Sequence, residues 1–455
     1  MAIKTMLFMV GFIAACGGAL YAPLIGVVAY VLHYHISPEK QWWSAPIAGL
    51  GVRYSLVLAI FTIVGTLINH RKLRYGPKLL SRHEWLMVAF LVVIWLSMLL
   101  GEPPERVSPT SVDIPAIKFA KVMVFALILT HVVTSVRSMN VVFYAVVIGV
   151  LYLAYKGYSA GAAGFSGGRL NIGVGGSDFG EANDYAVHLL ACLPIIAVQT
   201  YLSGWKGRSL CLITGVLAVN SIVLARSRTA VVGLAGALLV ALLLAPKKYR
   251  MVVLAGIIVF AIGAYSLTDP GFWGRASTIT AEEAERDASA QSRLEIWEGG
   301  LKMFLDQPLG VGAGNFQKKI GSYAPEHPNR DAHSTYVLCL GELGVQGLLV
   351  YFLIVVSAIG LLLKVRSQCA NLPAHIQVKL IMASYAVILS ISVYVFCGLT
   401  INRLYTEGSW LFLAMPVCLW RAVVNAQNEV GSAAGKQDRR GSSQASAAIA
   451  PGGSR

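Results

Sequence analysis

Charged side chains are scarce in this sequence. Only 13% of its 455 residues are Asp, Glu, Lys or Arg, whereas 56% are hydrophobic. Soluble domains contain about 25% charged residues, so the composition excludes an ordinary soluble protein. Apolar runs of membrane-spanning length recur along the chain, without the alternation of polar and apolar residues that a membrane β-barrel needs. The sequence therefore predicts an all-α, polytopic integral membrane protein.

Several other patterns are missing. None of the seven cysteines falls in a predicted external loop, and their spacings do not resemble a metal site. We therefore expect no disulfide framework, no metal and no cofactor. The first apolar stretch lacks a small-residue cleavage site, so it is expected to remain as a helix rather than to be removed as a signal peptide.

Hydropathy predicts twelve membrane spans. Pro23 lies within the first and longest of them, so this span can also be two shorter helices, which would give thirteen. The predicted spans are residues 5–32, 47–69, 84–100, 117–136, 138–155, 183–202, 209–225, 229–245, 251–267, 333–363, 377–400 and 409–424.

Lys and Arg residues concentrate in one alternate set of connections, which is nearly free of acidic residues. Cytoplasmic loops carry this excess, so the pattern predicts a multi-pass protein with both termini in the cytoplasm. The formal net charge of +15 then follows largely from topology, and no nucleic-acid partner is expected.

The predicted spans divide the chain into four parts. Residues 1–267 hold nine spans and a glycine-rich external loop at 156–182, residues 268–332 form a large external loop, residues 333–424 hold three spans, and 425–455 form a cytoplasmic tail that is disordered from Gly431 on. Within the large loop, apolar residues at helical spacing from Leu294 to Leu305 predict an amphipathic helix that ends at Pro308. The glycines of LGVGAGNF predict a turn that returns the chain to the membrane.

Charged residues inside the predicted spans collect near the external face. Arg53, Lys118, Lys121, Asp184 and Glu342 all lie in the external part of their spans. Such residues are costly in a membrane and are candidates for a functional site. Each one alone can be explained by snorkelling to the interface, but their common side indicates a polar centre there.

Arginine and histidine residues supply the chemistry of this centre. Arg226 and Arg228 lie in a turn too short to leave the external surface, and Arg293 opens the amphipathic helix. Guanidinium groups bind phosphate with paired hydrogen bonds, although anchoring to lipid headgroups or a solvated helix charge would also explain these residues. His333 lies where a span begins and can exchange a proton near neutral pH, or it is simply a hydrogen-bonded interfacial residue. For His131 and His188 we expect structural roles.

The order of three motifs, ARSRTA, SRLEIWEGGLKMFLDQPLGVGAGNF and AHSTYVLCLGELGVQG, resembles the O-antigen ligase family, which also includes O-antigen polymerases. The resemblance covers roughly residues 183–350. It implies a membrane-embedded, GT-C-like glycosyltransferase of the bacterial inner membrane that works at the periplasmic face. The donor would be a glycan on undecaprenyl pyrophosphate and the acceptor a sugar hydroxyl of lipid A-core, with inversion at the anomeric carbon and no metal.

Carried over by position, the resemblance implies that His333 is the essential histidine and that Arg228 and Arg293 are the essential arginines. We expect Arg226 and Arg169 to help bind the pyrophosphate, and Glu342 and Asn183 to support the site. His333 would activate the acceptor hydroxyl, while the guanidinium groups stabilise the leaving group in place of a metal.

Other functions stay open at this point. An O-antigen polymerase would use the same donor twice, and a protein O-glycosylation ligase would use a serine or threonine acceptor. A transporter of lipid-linked or anionic solutes would use the arginines for translocation, but such proteins commonly have internal repeats, and no repeat is visible here. A non-enzymatic membrane subunit would not depend on Arg228 or His333.

Overall fold

The computed structural model describes residues 3–44, 51–71, 79–101, 114–171, 177–245 and 288–448, with single residues 73, 247, 250, 251, 254, 255 and 258 between them. The predicted span 251–267 and the acidic first part of the large loop therefore lie almost wholly outside the described residues. Within them, the chain is a bundle of α-helices, as the composition predicts, and nine helices are long and apolar enough to cross a membrane.

Fourteen α-helices are present in the described part of the chain. Their bounds are α1 Ile3–Tyr21, α2 Pro23–Ile36, α3 Tyr54–Ile68, α4 Arg82–Leu100, α5 Pro115–Val132, α6 Val136–Ser159, α7 Ala182–Leu202, α8 Trp205–Leu224, α9 Arg228–Leu244, α10 Ala288–Asp306, α11 Phe316–Lys319, α12 Thr335–Gln368, α13 Ala374–Cys397 and α14 Glu407–Ala448. Short 3-10 helices occupy several of the connections. All seven cysteines are buried and unpaired.

The first predicted span is two helices. Ala22 is extended between α1 and α2, with φ −138° and ψ 102°, because Pro23 cannot continue the hydrogen-bond ladder of α1. Thr5 Oγ1 donates to the carbonyl of Trp43 at 2.7 Å, so α1 begins beside the segment that follows α2. The two helices are therefore antiparallel.

This hairpin changes the expected position of the N-terminus. The start of α1 lies at the end of the bundle where α2 ends and α3 begins, whereas Asn425 near the other terminus donates to the carbonyl of Thr134 at the opposite end. The expectation that both termini lie on one face is therefore wrong in this structure, because two helices replace one span. The backbone of α14 also remains helical to Ala448, where disorder was expected from Gly431; its Ala, Gln, Lys and Arg residues are good helix formers.

The helix α12 is interrupted at Gly344, where φ is 67° and ψ is −168°. The break leaves carbonyl groups of α12 without hydrogen-bond partners inside the helix. Backbone N–H groups of the glycine-rich turn donate to them instead: Val311 N donates to Gly341 O at 2.9 Å, and Gly312 N donates to Glu342 O at 3.0 Å. The predicted glycine turn is therefore present, and it contacts the backbone of α12 next to the break. Backbone hydrogen bonds from another segment of the chain therefore stabilise the break.

Four helix starts share one end of the bundle. Thr229 at the start of α9 bonds to Thr400 at 3.0 Å, and the backbone N–H of Arg403 donates to Thr335 Oγ1, at the start of α12, at 2.9 Å. Arg403 also contacts Asp184 in the first turn of α7, at 2.5 Å, and α14 begins just after this connection. We call this end of the bundle the loop end, and residues 398–406 the connecting loop.

Candidate active site at the loop end

A hydrogen-bonded network joins the glycine-rich loop to two helix starts. Residues Phe165–Ser166 and Arg169–Leu170 form a two-stranded antiparallel hairpin, which presents Arg169. Arg169 Nε donates to the carbonyl of Ala225 at 3.0 Å, and Arg169 Nη2 donates to Asn183 Oδ1 at 2.6 Å. Ser227 Oγ donates to the same amide oxygen at 2.9 Å, and it also caps α9. Asn183 therefore holds the hairpin against the turn that carries the arginine pair.

Arg226 lies against the hairpin turn. The turn residues Gly167 and Gly168 have φ values of 56° and 70°, which glycine adopts easily and which a tight hairpin turn requires. A Cβ atom on Gly168 would lie 3.5 Å from Arg226 Nη1. Arg226, in the turn between α8 and α9, thus lies close to the hairpin that carries Arg169, and Arg228 follows two residues later as the first residue of α9.

Two of the predicted site residues have a strained backbone. Arg226 and His333 both have φ 45°, a left-handed conformation that few non-glycine residues adopt. Such strain costs about 1–3 kcal/mol and persists where the surroundings fix it, often at functional sites. His333 precedes α12, which begins two residues later.

The amphipathic helix α10 packs beside His333. Its Trp297 Nε1 donates to the carbonyl of Ala332 at 2.8 Å, next to the histidine. The backbone N–H of His333 donates to Asp331 Oδ2 at 3.3 Å, and Nδ1 of the imidazole lies 4.0 Å from the same carboxylate oxygen. The predicted amphipathic helix is confirmed, and it ends at Asp306, before Pro308.

Charges from three segments act on the imidazole of His333. Burial lowers its pKa below 6.5, Asp331 and Glu181 raise the pKa, and Arg293 and Arg330 lower it, with a lowered pKa as the result. The imidazole is therefore neutral at pH 7 and can accept a proton. These interactions also place Arg293 of α10 and Glu181, the N-cap residue of α7, within electrostatic range of His333.

The connecting loop fixes the two halves of the site relative to each other. Thr335 N donates to the carbonyls of Gly398 and Ile401 at 2.8 and 3.1 Å, and Thr400 bonds to Thr229. The segment that starts with His333 and the helix that starts with Arg228 are thereby anchored to the same ten or so residues of chain. The helix N-termini at this end add partial positive charge, which favours an anionic ligand.

Glu342 of α12 forms hydrogen bonds with two other segments of the chain. Its Oε2 accepts a hydrogen bond from Tyr405 of the connecting loop at 2.7 Å, and its Oε1 accepts one from the N–H of Phe316 after the glycine-rich turn at 3.3 Å. The side chain is buried. This arrangement is that of a positioning residue, which fits the supporting role expected of it.

The structure contains a buried network of charged side chains that the sequence analysis did not predict. Arg403 contacts Asp184 at 2.5 Å and donates from Nη1 to the carbonyl of Asp178 at 3.1 Å, and Lys118 lies 3.1 Å from the carboxylate of Asp178. Asp184 and Lys118 were singled out in the sequence, but Arg403 was not. The sequence signal that could have found it is a basic residue in the short external loop between the last two predicted spans.

His188 has a buried hydrogen-bonded position. Its Nδ1 lies 2.8 Å from Tyr394 Oη and its Nε2 lies 3.0 Å from Nε2 of His35, whose Nδ1 lies 2.7 Å from the carbonyl of Val31. With Cys192, these two histidines form the one group in the described residues with spacing suited to a metal ion. The hydrogen bonds already use both ring nitrogens of each histidine, which fits the structural role expected of His188.

Comparison with known proteins agrees with the motif order. No curated protein is significantly similar to the chain. Residues 213–352 match the family model described as O-antigen ligase, a segment that includes Arg226, Arg228, Arg293, His333 and Glu342, whereas Arg169 and Asn183 precede it. The chain is a multi-pass membrane protein in which residues 213–352 are similar to the O-antigen ligase family, and this match supports the resemblance drawn from the motifs.

Proposed function

We propose that this protein is an inverting, metal-independent glycosyltransferase of lipopolysaccharide biosynthesis. It moves O-antigen polysaccharide from undecaprenyl pyrophosphate to a sugar hydroxyl of lipid A-core at the periplasmic face of the inner membrane. The observation that carries the proposal is the position of His333, beside the helix α10 that carries Arg293 and at the end of the bundle that also holds Arg169, Arg226 and Arg228.

The arginines act on the leaving group. When the bond between the anomeric carbon and the pyrophosphate oxygen breaks, the bonding electrons go to the pyrophosphate, whose negative charge increases. Fixed guanidinium groups stabilise this charge without needing to reorganise during the reaction. Arg228 and Arg293 bind the pyrophosphate directly. Arg169, on the hairpin that Asn183 anchors, and Arg226, in the turn beside it, complete the site.

His333 acts on the acceptor. Its imidazole accepts the proton of the acceptor hydroxyl while that oxygen attacks the anomeric carbon from the side opposite the leaving group, which inverts the configuration. A base with a pKa close to the working pH is the most effective for this step. Asp331, 4.0 Å from Nδ1, stabilises the imidazolium that forms.

The external position of the site is supported by the distribution of charged residues between the connections. The connections at the loop end contain most of the acidic residues, whereas Lys and Arg outnumber acidic residues in the connections at the opposite end. This distribution is typical of external segments at the loop end and cytoplasmic segments at the other. Both substrates are lipids of the same leaflet, so a site at the membrane surface brings their headgroups together without moving either lipid out of the bilayer.

The reaction can be tested with purified protein, a defined undecaprenyl pyrophosphate glycan and lipid A-core, in the presence of a chelator. We expect a transferred product with inverted anomeric linkage and an unchanged rate when divalent metal is removed. Strict dependence on a divalent metal would contradict the proposed role of the arginines. In a parallel reaction with donor alone, no chain extension is expected; extension would identify a polymerase instead.

A further inference from the structure

A cavity of about 430 Å³ opens on the side of the bundle, between α2, α3, α4 and α5. Its volume is within the range of small-ligand sites, about 300–1,000 Å³. Some of its lining residues face outward: Leu56, Trp95 and Val124 are 44%, 42% and 43% exposed. In a membrane-embedded bundle, side chains exposed in this way face lipid, so the cavity has a lateral, apolar opening.

The polar groups of the cavity lie at the loop end. Ser37 follows the last residue of α2, Ser55 lies in the first turn of α3, and Lys118 lies in the first turn of α5. The apolar lining residues Trp95 and Val124 lie deeper, by about one to three helical turns of 5.4 Å each. The cavity is therefore polar at the level of lipid headgroups and apolar at the level of acyl chains, which is the polarity of a lipid molecule.

Two cationic side chains line this cavity. Lys118 and Lys121 are one turn apart on α5, and the Lys118 side chain is 26% exposed. The acidic residue beside them, Asp178, is 4% exposed and already accepts hydrogen bonds from Lys118, from Tyr34 and from the backbone N–H of Glu407. An anion that enters from the membrane side would therefore meet the lysines before the buried carboxylate.

A second observation points to a ligand with hydroxyl groups. Glu407 lines the cavity, and its Oε1 is buried without a hydrogen-bond partner among the described residues. A buried acceptor without a donor is unfavourable, because it has lost its hydrogen bonds to water without replacing them. A hydroxyl group on a bound molecule would supply the missing donor.

The cavity is connected to the candidate active site by charged contacts. Lys118 contacts Asp178, Arg403 bonds to the carbonyl of Asp178, and the same arginine contacts Asp184, one residue after Asn183. The cavity and the arginine and histidine residues thus lie on two sides of one buried cluster. A headgroup in the cavity would be adjacent to the site without occupying the place of the donor pyrophosphate.

We propose that this cavity binds the acceptor, a phosphorylated glycolipid, with its phosphate on Lys118 and Lys121, a sugar hydroxyl on Glu407 and an acyl chain along Leu56, Trp95 and Val124. The inference rests on the proposed function, because it assigns the second lipid of that reaction to a separate lateral opening.

The test uses the full-length protein in nanodiscs and measures equilibrium binding of lipid A-core that carries its phosphates, and of the same lipid after dephosphorylation. Wild-type protein should bind the phosphorylated lipid about tenfold more tightly, as expected for loss of one charge-assisted contact. Lys121→Gln should abolish this preference. Ala120→Phe, which fills the cavity without changing its charge, should weaken binding of both lipids. All variants should bind the undecaprenyl pyrophosphate donor as tightly as wild type.

Lys302→Gln is the matched control, because Lys302 lies on α10 at the loop end and pairs only across one helical turn with Glu298, at 2.8 Å. It should leave both affinities unchanged. Equal binding of the two lipids by wild type, an unaltered preference in Lys121→Gln, or equal displacement of the lipid by phosphatidylglycerol would overturn the inference. Loss of donor binding in Lys121→Gln would assign the cavity to the donor instead. Because binding is measured without turnover, a failure of glycosyl transfer remains a separate result.

Discussion

The amide oxygen of Asn183 accepts a hydrogen bond from Arg169 Nη2 at 2.6 Å, across the gap between the glycine-rich hairpin and α7. Ser227 donates to the same oxygen. One side chain therefore positions a predicted pyrophosphate ligand and the cap of the helix that begins with Arg228. The contact gives Asn183 a definite role, although it precedes the family-matched segment.

Asn183→Ala should weaken donor binding by about tenfold, because a lost buried hydrogen bond and an unsatisfied partner cost on the order of 1–3 kcal/mol. Titration of the purified variant with the lipid-linked donor checks this. Asn140→Ala is the control: Asn140 accepts a hydrogen bond from Gln199 at 3.0 Å, near the start of α6 at the opposite end. If both variants bind the donor equally well, Asn183 has no part in positioning the arginines.

The pH dependence of transfer should report the charges around His333. The histidine must be neutral to accept a proton, and its pKa is lowered from 6.5 by burial and by Arg293 and Arg330, against the opposing effect of Asp331. Activity should thus decline only as the pH falls through this lowered pKa. Arg293→Gln should raise the pKa and move the acid limb to higher pH, while Asp331→Asn should move it to lower pH. Rate profiles of kcat against pH for the three proteins make the comparison; shifts in the reverse directions would exclude His333 as the titrating base.

His333→Asn should remove the base and leave the fold intact. Asparagine tolerates the left-handed backbone better than most residues, so the φ of 45° should persist. Loss of a general base lowers kcat by about 10²–10⁴-fold. Thermal unfolding in detergent should be close to that of wild type, and His375→Asn, at the start of α13 at the opposite end, should retain full activity. A variant His333→Asn that transfers at the wild-type rate would leave the imidazole with a structural role only.

Gly344 is predicted to be irreplaceable and Gly360 to be dispensable within the same helix. A Cβ atom on Gly344 would clash with the carbonyl oxygen of Pro308, and the φ of Gly344 is 67°. A Cβ atom on Gly360 would meet no described atom within 4 Å outside the backbone of its own helix. Gly344→Ala should destabilise the protein by about 1–3 kcal/mol or more, whereas Gly360→Ala should be neutral or stabilising by up to about 1 kcal/mol. Unfolding midpoints of the two variants test this, and equal midpoints would mean that the break in α12 is not needed.

Removing one partner of the buried pair Arg403 and Asp184 should destabilise the protein more than removing both charges. Arg403→Met leaves the Asp184 carboxylate, 2.5 Å from the guanidinium in the native protein, without its partner, and such changes cost about 3–5 kcal/mol. The double variant Arg403→Met with Asp184→Asn should recover a large part of that loss. A double-mutant cycle on unfolding free energies measures the coupling; additive losses would show that the two side chains act independently.

The sequence contains enough information for the order of the spans, the amphipathic helix and the polar centre at one end. These features depend on local hydropathy and on helical spacing, and they appear as α3 to α14 and as the arginines around the loop end. The glycine-rich turn is also visible locally, because three nearby glycines before a span rarely continue a helix. The span 251–267 lies outside the described residues and stays a prediction.

Features that depend on distant contacts could not be predicted. Arg403 and Asp184 are more than two hundred positions apart, and no local pattern pairs them. The break at Gly344 is stabilised by backbone groups of the turn near Gly310, so hydropathy alone gives a continuous span. The hairpin of α1 and α2 was visible only as Pro23, which allows either one kinked helix or two separate ones.

Donor binding measured without turnover tests the central claim most directly. With undecaprenyl pyrophosphate glycan as ligand and a chelator present, Arg228→Gln and Arg293→Gln should each bind at least about tenfold more weakly than wild type. His333→Asn should bind the donor as wild type does and yet form no product in a single turnover. Full donor affinity in both arginine variants, or lost donor affinity in the histidine variant, would contradict the division of roles proposed for these three residues.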